Sequence, residues 1–68
     1  MKSYDQAIED AERALRFAET SGAKNQSREV TEVLSGIYRE IENYKEALYY
    51  TDLSNAYKDS IYNEAKSK

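Results

Sequence analysis

Apolar residues recur at steps of three and four along this chain, and no proline interrupts them. Such spacing places side chains on one face of an α-helix. Gly22 suits the left-handed residue that follows a helix end. We therefore predict an all-α fold of three helices, at about residues 4–20, 28–42 and 44–64.

The first predicted helix carries small side chains on its apolar face, whereas the second carries larger ones. Alanines let a neighbouring helix approach closely. We expect these helices to form an antiparallel pair across a polar loop at residues 21–27. The expected seam sets the alanines against branched side chains: Ala7, Ala11 and Ala14 against Val30, Leu34 and Ile37.

Gly36 lies inside the second predicted helix, where glycine costs about 1 kcal/mol relative to alanine. Such a cost is tolerated where a neighbouring backbone or a ligand needs the space. Close helix packing is the preferred explanation, and contact with a ligand is the alternative.

The third predicted helix has two apolar faces. Tyr44, Ala47, Leu48 and Thr51 form its predicted inner face. A second face lies roughly 100° away, and we expect it to dock a following helix or a second copy of the chain. Exposed tyrosines on a solvated helix are the alternative. The residues of this candidate packing or dimer face are Tyr50, Leu53, Tyr57 and Ile61.

Composition restricts the classes of function. The chain has 68 residues, a formal charge of −3, and neither cysteine nor histidine. Thiolate and imidazole metal sites are absent, and the charge does not favour nucleic acid. We expect no catalytic residue, cofactor, metal or membrane contact in this segment. Because so short a chain buries a thin core, association with more protein is the expected support.

Two segments 40 residues apart are similar in sequence: Tyr4-Asp5-Gln6-Ala7-Ile8 and Tyr44-Lys45-Glu46-Ala47-Leu48. Further spaced residues cover one predicted helix pair: Leu34-Ser35-x-x-Tyr38, Asn43-Tyr44-x-x-Ala47-Leu48 and Ser54. Across residues 4–57 this spacing resembles the tetratricopeptide repeat. Thr31 and Asp59 depart from the usual tryptophan and proline positions, and the offset is six residues longer than the family's period. We expect the extra residues to lie in the 21–27 loop.

The resemblance implies that residues 1–68 form a single repeat fragment. Residues 4–20 would be the second helix of one repeat, and residues 28–64 a complete pair. The implied function is a protein–protein interaction module that binds a peptide or protein partner, with adjacent repeats as further contacts. A receptor for chaperone tails is disfavoured because glutamates replace the family's lysine and asparagine. The implied concave groove consists of Glu29, Glu32, Val33, Gly36, Arg39 and Glu40.

The segment 57–68 resembles the end of the repeat array in certain bacterial sensor histidine kinases and regulators. This resemblance implies an alternative function, a structural or signal-transmitting spacer that dimerises through its last helix as a homo-oligomer. The chain would then be a soluble cytoplasmic or periplasmic portion of a longer bacterial protein, with its compartment undecided. A free-standing three-helix bundle without repeat geometry is the third possibility.

Overall fold

The computed structural model describes residues 4–66, with side chains for residues 4–63. It contains three helices, α1 (Tyr4–Thr20), α2 (Lys24–Glu40) and α3 (Tyr44–Lys66). The described residues contain no strand, so the predicted all-α fold is confirmed. Residues 1–3 and 67–68 of the predicted single unit lie outside the described residues.

The second helix begins at Lys24, four residues earlier than predicted. Polar residues 24–27 suggested a loop, but they form the first turn of α2, and Ser27 is only 1% exposed. Each connection is therefore three residues long, and the helices begin at residues 4, 24 and 44. The prediction that six extra residues lie in a long loop is wrong, because the 40-residue offset comes from two 20-residue units of helix and turn.

The two turns have the same geometry, 20 residues apart. Gly22 has φ +72°, and its N–H donates to the Glu19 carbonyl oxygen at 3.2 Å. Glu42 has φ +64°, and its N–H donates to the Arg39 carbonyl oxygen at 3.0 Å. The next residue in each turn bonds back five positions, which completes a Schellman motif. The left-handed conformation predicted for Gly22 is confirmed, whereas that of Glu42 is unusual for a residue with a Cβ atom.

The core joins one residue from each helix: Leu15, Leu34 and Tyr50. Leu34 in the central helix is completely buried. The rings of Tyr38 and Tyr50 stack with centroids 5.7 Å apart. α2 packs against both other helices, whereas α1 and α3 have no close backbone contact within the described residues. The molecule is therefore a layer of helices with α2 in the middle.

Small hydroxyl side chains fill the seam between α2 and α3. Thr31 is completely buried, and Ser35 and Ser54 are 5% and 3% exposed. Thr31 Oγ1 donates to the Ser27 carbonyl oxygen at 2.9 Å, which satisfies that buried hydroxyl. Because these side chains are small, the backbones of α2 and α3 lie close together over a longer stretch than those of α1 and α2.

The seam between α1 and α2 differs from the prediction. Ala11, Val30 and Leu34 pack in or against the core, but Ala7 and Ala14 are exposed. The buried face of α1 is centred on Leu15, and at 100° per residue Ala7 and Ala14 lie about 80° and 100° away from it. The α1 residues that pack inward are Ile8, Ala11, Leu15 and Ala18.

Candidate functional site

The outer faces of α2 and α3 enclose a groove of about 260 Å³, which we call the α2–α3 groove. The two helices are antiparallel because only three residues connect them, so the groove runs along both. α2 contributes Glu32, Ser35, Gly36 and Arg39. α3 contributes Thr51, Ser54, Asn55 and Lys58.

Gly36 leaves the groove open at its centre. Outside the adjacent backbone of α2, a Cβ atom built on this residue would meet no atom of the described residues within 4 Å. Close helix packing among the described residues therefore does not explain this glycine, and the prediction that it does is wrong. Glycine at this position lowers the stability of α2 relative to alanine and leaves free space beside the helix.

Hydroxyl groups form the floor of the groove. Ser35 Oγ donates to the Ala47 carbonyl oxygen at 3.2 Å and lies 2.6 Å from Thr51 Oγ1. Since Ser35 has one proton, Thr51 is the donor in the shorter contact. Ser54 Oγ is buried without a hydrogen-bond partner among the described residues. A buried hydroxyl in that state costs roughly 1–3 kcal/mol.

Basic side chains dominate the charge of the groove, although the chain as a whole is acidic. Glu32 lies 3.3 Å from Arg28 Nη1 and 3.5 Å from Lys58 Nζ, so one carboxylate serves two cations. Arg39 forms no ion pair with any residue in the described part of the chain. The groove therefore has an excess of positive charge.

The six residues of the predicted concave groove do not line one groove. Glu32, Gly36 and Arg39 line the α2–α3 groove. Glu29 and Val33 instead line a groove of about 390 Å³ between α1 and α2. Glu40, also exposed, accepts a hydrogen bond from the Tyr4 hydroxyl at 2.8 Å. The predicted set is a ridge along α2 that separates two grooves.

The α3 half of the groove, formed by Thr51, Ser54, Asn55 and Lys58, was not among the predicted groove residues. Three of these residues belong to a stripe with alternating steps of four and three, the spacing of one helix face. That spacing was the available signal, but the polar side chains in the stripe gave it no hydrophobic periodicity. The stripe consists of Tyr44, Leu48, Thr51, Asn55, Lys58 and Tyr62.

The predicted packing or dimer face of α3 is directed at the other helices of the same chain. Tyr50 is 9% exposed and belongs to the core, and Leu53 packs against it. Tyr57 is half-buried, and its hydroxyl donates to Glu19 at 2.7 Å. Ile61 is also half-buried. The expectation that this face lacks cover is wrong.

The apolar side chains that α3 exposes are partly those of its predicted inner face. Tyr44 and Leu48 are each 62% exposed, whereas Ala47 is buried. The helix is rotated because the small residues Ala47 and Ser54 pack against α2. Helical periodicity grouped Ala47 with Tyr44 and Leu48, but α3 buries Ala47 together with Tyr50 and Ser54.

Burial raises the pKa of the Tyr50 hydroxyl to about 12, with a smaller contribution from the Glu12 carboxylate. Burial also raises the pKa of Tyr38 and Tyr57, which bond to Glu12 and Glu19. These tyrosines remain protonated at neutral pH. They serve as neutral packing and hydrogen-bonding groups.

Within the described residues, no three side chains of the metal-binding types cluster closely enough to hold an ion. No helix in that part of the chain has both the length and the apolar character that crossing a membrane requires. Comparisons with models of protein families, with curated proteins and with solved structures found no match.

Proposed function

We propose that this chain is a non-catalytic protein–protein interaction module of the tetratricopeptide type, and that it binds a polypeptide segment in the α2–α3 groove. Gly36 is the observation that carries the proposal. A glycine in the middle of α2 costs stability, and no other element among the described residues comes within 4 Å of a Cβ atom built on it. A bound segment would use that space.

The lining of the groove suits a polypeptide. It combines two cations, one carboxylate, an amide and hydroxyl groups. The exposed side chains of Tyr44 and Leu48 lie on the same face of α3. Main-chain amides and carbonyls need such hydrogen-bonding groups, while side chains need apolar contacts. The resemblance of residues 4–57 to the tetratricopeptide repeat supports the same function.

The test is selection of random 16-residue peptides displayed on phage against the intact chain. We expect enriched peptides whose binding is lost in Gly36→Phe, because the ring fills the groove. Gly36→Ala is the matched control, since it adds only a methyl group to open space and should leave folding intact. If no selected peptide loses affinity for Gly36→Phe, the proposed site is wrong.

The second candidate is a spacer that dimerises through α3, as in the bacterial sensor proteins that the segment 57–68 resembles. α3 is the longest helix, with 23 residues, and exposes Tyr44, Leu48 and Tyr62. Light scattering after size-exclusion chromatography tests this candidate. A dimer that Leu48→Glu converts to monomer would support the spacer, and a monomeric wild-type chain would exclude it at the concentration used.

A further inference from the structure

We infer that the segment bound in the α2–α3 groove is acidic, with one of its carboxylates paired with Arg39 and a polar acceptor bonded to the Ser54 hydroxyl. This inference rests on the proposed function, because it names the chemistry of the partner for the same groove. It derives from two groups that lack partners within the described chain: a cation at the rim and a buried hydroxyl at the floor.

Arg39 is the cation that a partner can use most fully. Its side chain is exposed at the groove, and no acidic residue in the described part of the chain pairs with it. A guanidinium presents donors in a fork that matches the two oxygens of a carboxylate. Lys58 is a second cation in the groove, but it shares Glu32 with Arg28. The local charge therefore favours an anionic side chain.

Ser54 supplies a hydroxyl proton that is not already committed within the groove. The Thr51 hydroxyl donates its proton to Ser35, and the Ser35 hydroxyl donates its proton to the Ala47 carbonyl oxygen. Ser54 is only 3% exposed, and its hydroxyl oxygen has no hydrogen-bond partner among residues 4–63. An acceptor on a bound segment would satisfy this donor.

The spacing of the cations defines a suitable probe. Glu32, the ion-pair partner of Lys58, lies seven residues before Arg39, which corresponds to about 10 Å along α2. In an extended peptide, residues three apart are separated by about the same distance. The probe is therefore a fluorescent 12-residue peptide of repeating Gly-Ser-Glu, compared with the same peptide containing Gln in place of each Glu.

Fluorescence anisotropy with the intact chain at low ionic strength is the measurement. We expect the Glu peptide to bind about tenfold more tightly than the Gln peptide, a typical gain for a charge-assisted hydrogen bond. Arg39→Gln should remove this preference. Arg13→Gln is the charge-matched control, because Arg13 is exposed on α1 and pairs only weakly, at 3.7 Å, with Glu9.

Ser54→Ala separates binding from structure. If the hydroxyl serves a partner, the variant should bind the Glu peptide roughly threefold more weakly while its melting temperature rises, because an unsatisfied buried group is removed. A rise in melting temperature with unchanged affinity would overturn the assignment of Ser54.

Three results would overturn the inference about charge: equal affinity for both peptides, a preference that survives Arg39→Gln, or an equal loss in Arg13→Gln. The phage selection keeps these failures distinct from failure of the proposed function. Peptides blocked by Gly36→Phe but lacking acidic residues would leave the groove assigned and overturn its acidic partner. Absence of any peptide blocked by Gly36→Phe would overturn both.

Discussion

α1 and α3 have related sequences, 40 residues apart, yet they bury different faces, about 80–100° apart around the helix axis. α1 packs inward through Ile8, Leu15 and Ala18. The residues 40 positions later, Leu48, Asn55 and Lys58, are all exposed. Conversely, α3 buries Ala47 and Ser54, whereas their equivalents Ala7 and Ala14 are exposed on α1.

The difference arises because α2 lies between the two helices. α1 precedes α2 and α3 follows it, so equivalent helices contact α2 from different sides and with different faces. A helix of this type therefore has two usable packing faces, and its neighbour decides which one is buried. The polar residues Asn55 and Lys58 replace Leu15 and Ala18 on the stripe that α3 leaves open, which makes that stripe compatible with solvent or with a polar partner.

The largest expected effect separates two alanines at equivalent positions. Ala47→Glu should destabilise the chain by more than about 3 kcal/mol, because it buries a charge in the α2–α3 seam. Ala7→Glu should change the free energy of unfolding by less than about 0.5 kcal/mol, since this residue is exposed. Urea unfolding followed by circular dichroism compares them, and similar losses in both variants would break the distinction between the two faces.

A smaller difference is expected at the next equivalent pair. Ile8→Ala should cost about 2 kcal/mol because Ile8 packs against the core. Leu48→Ala should cost less than about 0.5 kcal/mol, since Leu48 is 62% exposed. The midpoints of urea unfolding provide the measurement. A larger loss for Leu48→Ala than for Ile8→Ala would contradict the burial assigned to the two helices.

The two turns should respond in opposite directions. Gly22→Ala should destabilise by about 1 kcal/mol, because alanine is strained at φ +72°. Glu42→Gly should stabilise by about the same amount, since it relieves the strain at φ +64°. Thermal unfolding tests both variants. A lower melting temperature for Glu42→Gly would contradict the left-handed conformation of that residue.

The smallest expected effect is alkaline destabilisation at pH 10.5. The raised pKa of Tyr50 in the folded state, about 12, means that folding favours its protonated form. That contribution is complete below the unfolded pKa of about 10 and is lost as the pH rises toward 12. Tyr50→Phe should reduce the fall in melting temperature between pH 9 and 10.5. Equal falls in Tyr50→Phe and in the unchanged chain would contradict the burial of Tyr50.

Sequence periodicity predicted the number of helices, the bounds of α1, the start of α3 and the role of Gly22. It failed where small polar residues are buried. Residues 24–27 are polar and predict a loop, yet they form the first turn of α2, and Ser27 in that turn is buried. Hydrophobic patterning does not distinguish Ser54, which fits a close helix seam, from a solvated serine.

The candidate site was predictable only in part for the same reason. The resemblance indicated the α2 residues Glu32, Gly36 and Arg39, which share one groove. The opposite wall required the rotation of α3, and this rotation depends on which of its two apolar stripes α2 covers. The stripe containing Tyr50 was assigned to an outside partner because sequence alone does not show that α1 and α2 cover it together.

The most direct test of the central claim is an amide-resolved NMR titration of the intact chain with a peptide from the phage selection. Binding in the α2–α3 groove predicts the largest chemical-shift changes at Gly36, Thr51 and Asn55, with small changes at Ala7 and Asp10 in the α1–α2 groove. Largest changes at Ala7 and Asp10, with Gly36 unaffected, would contradict the claim.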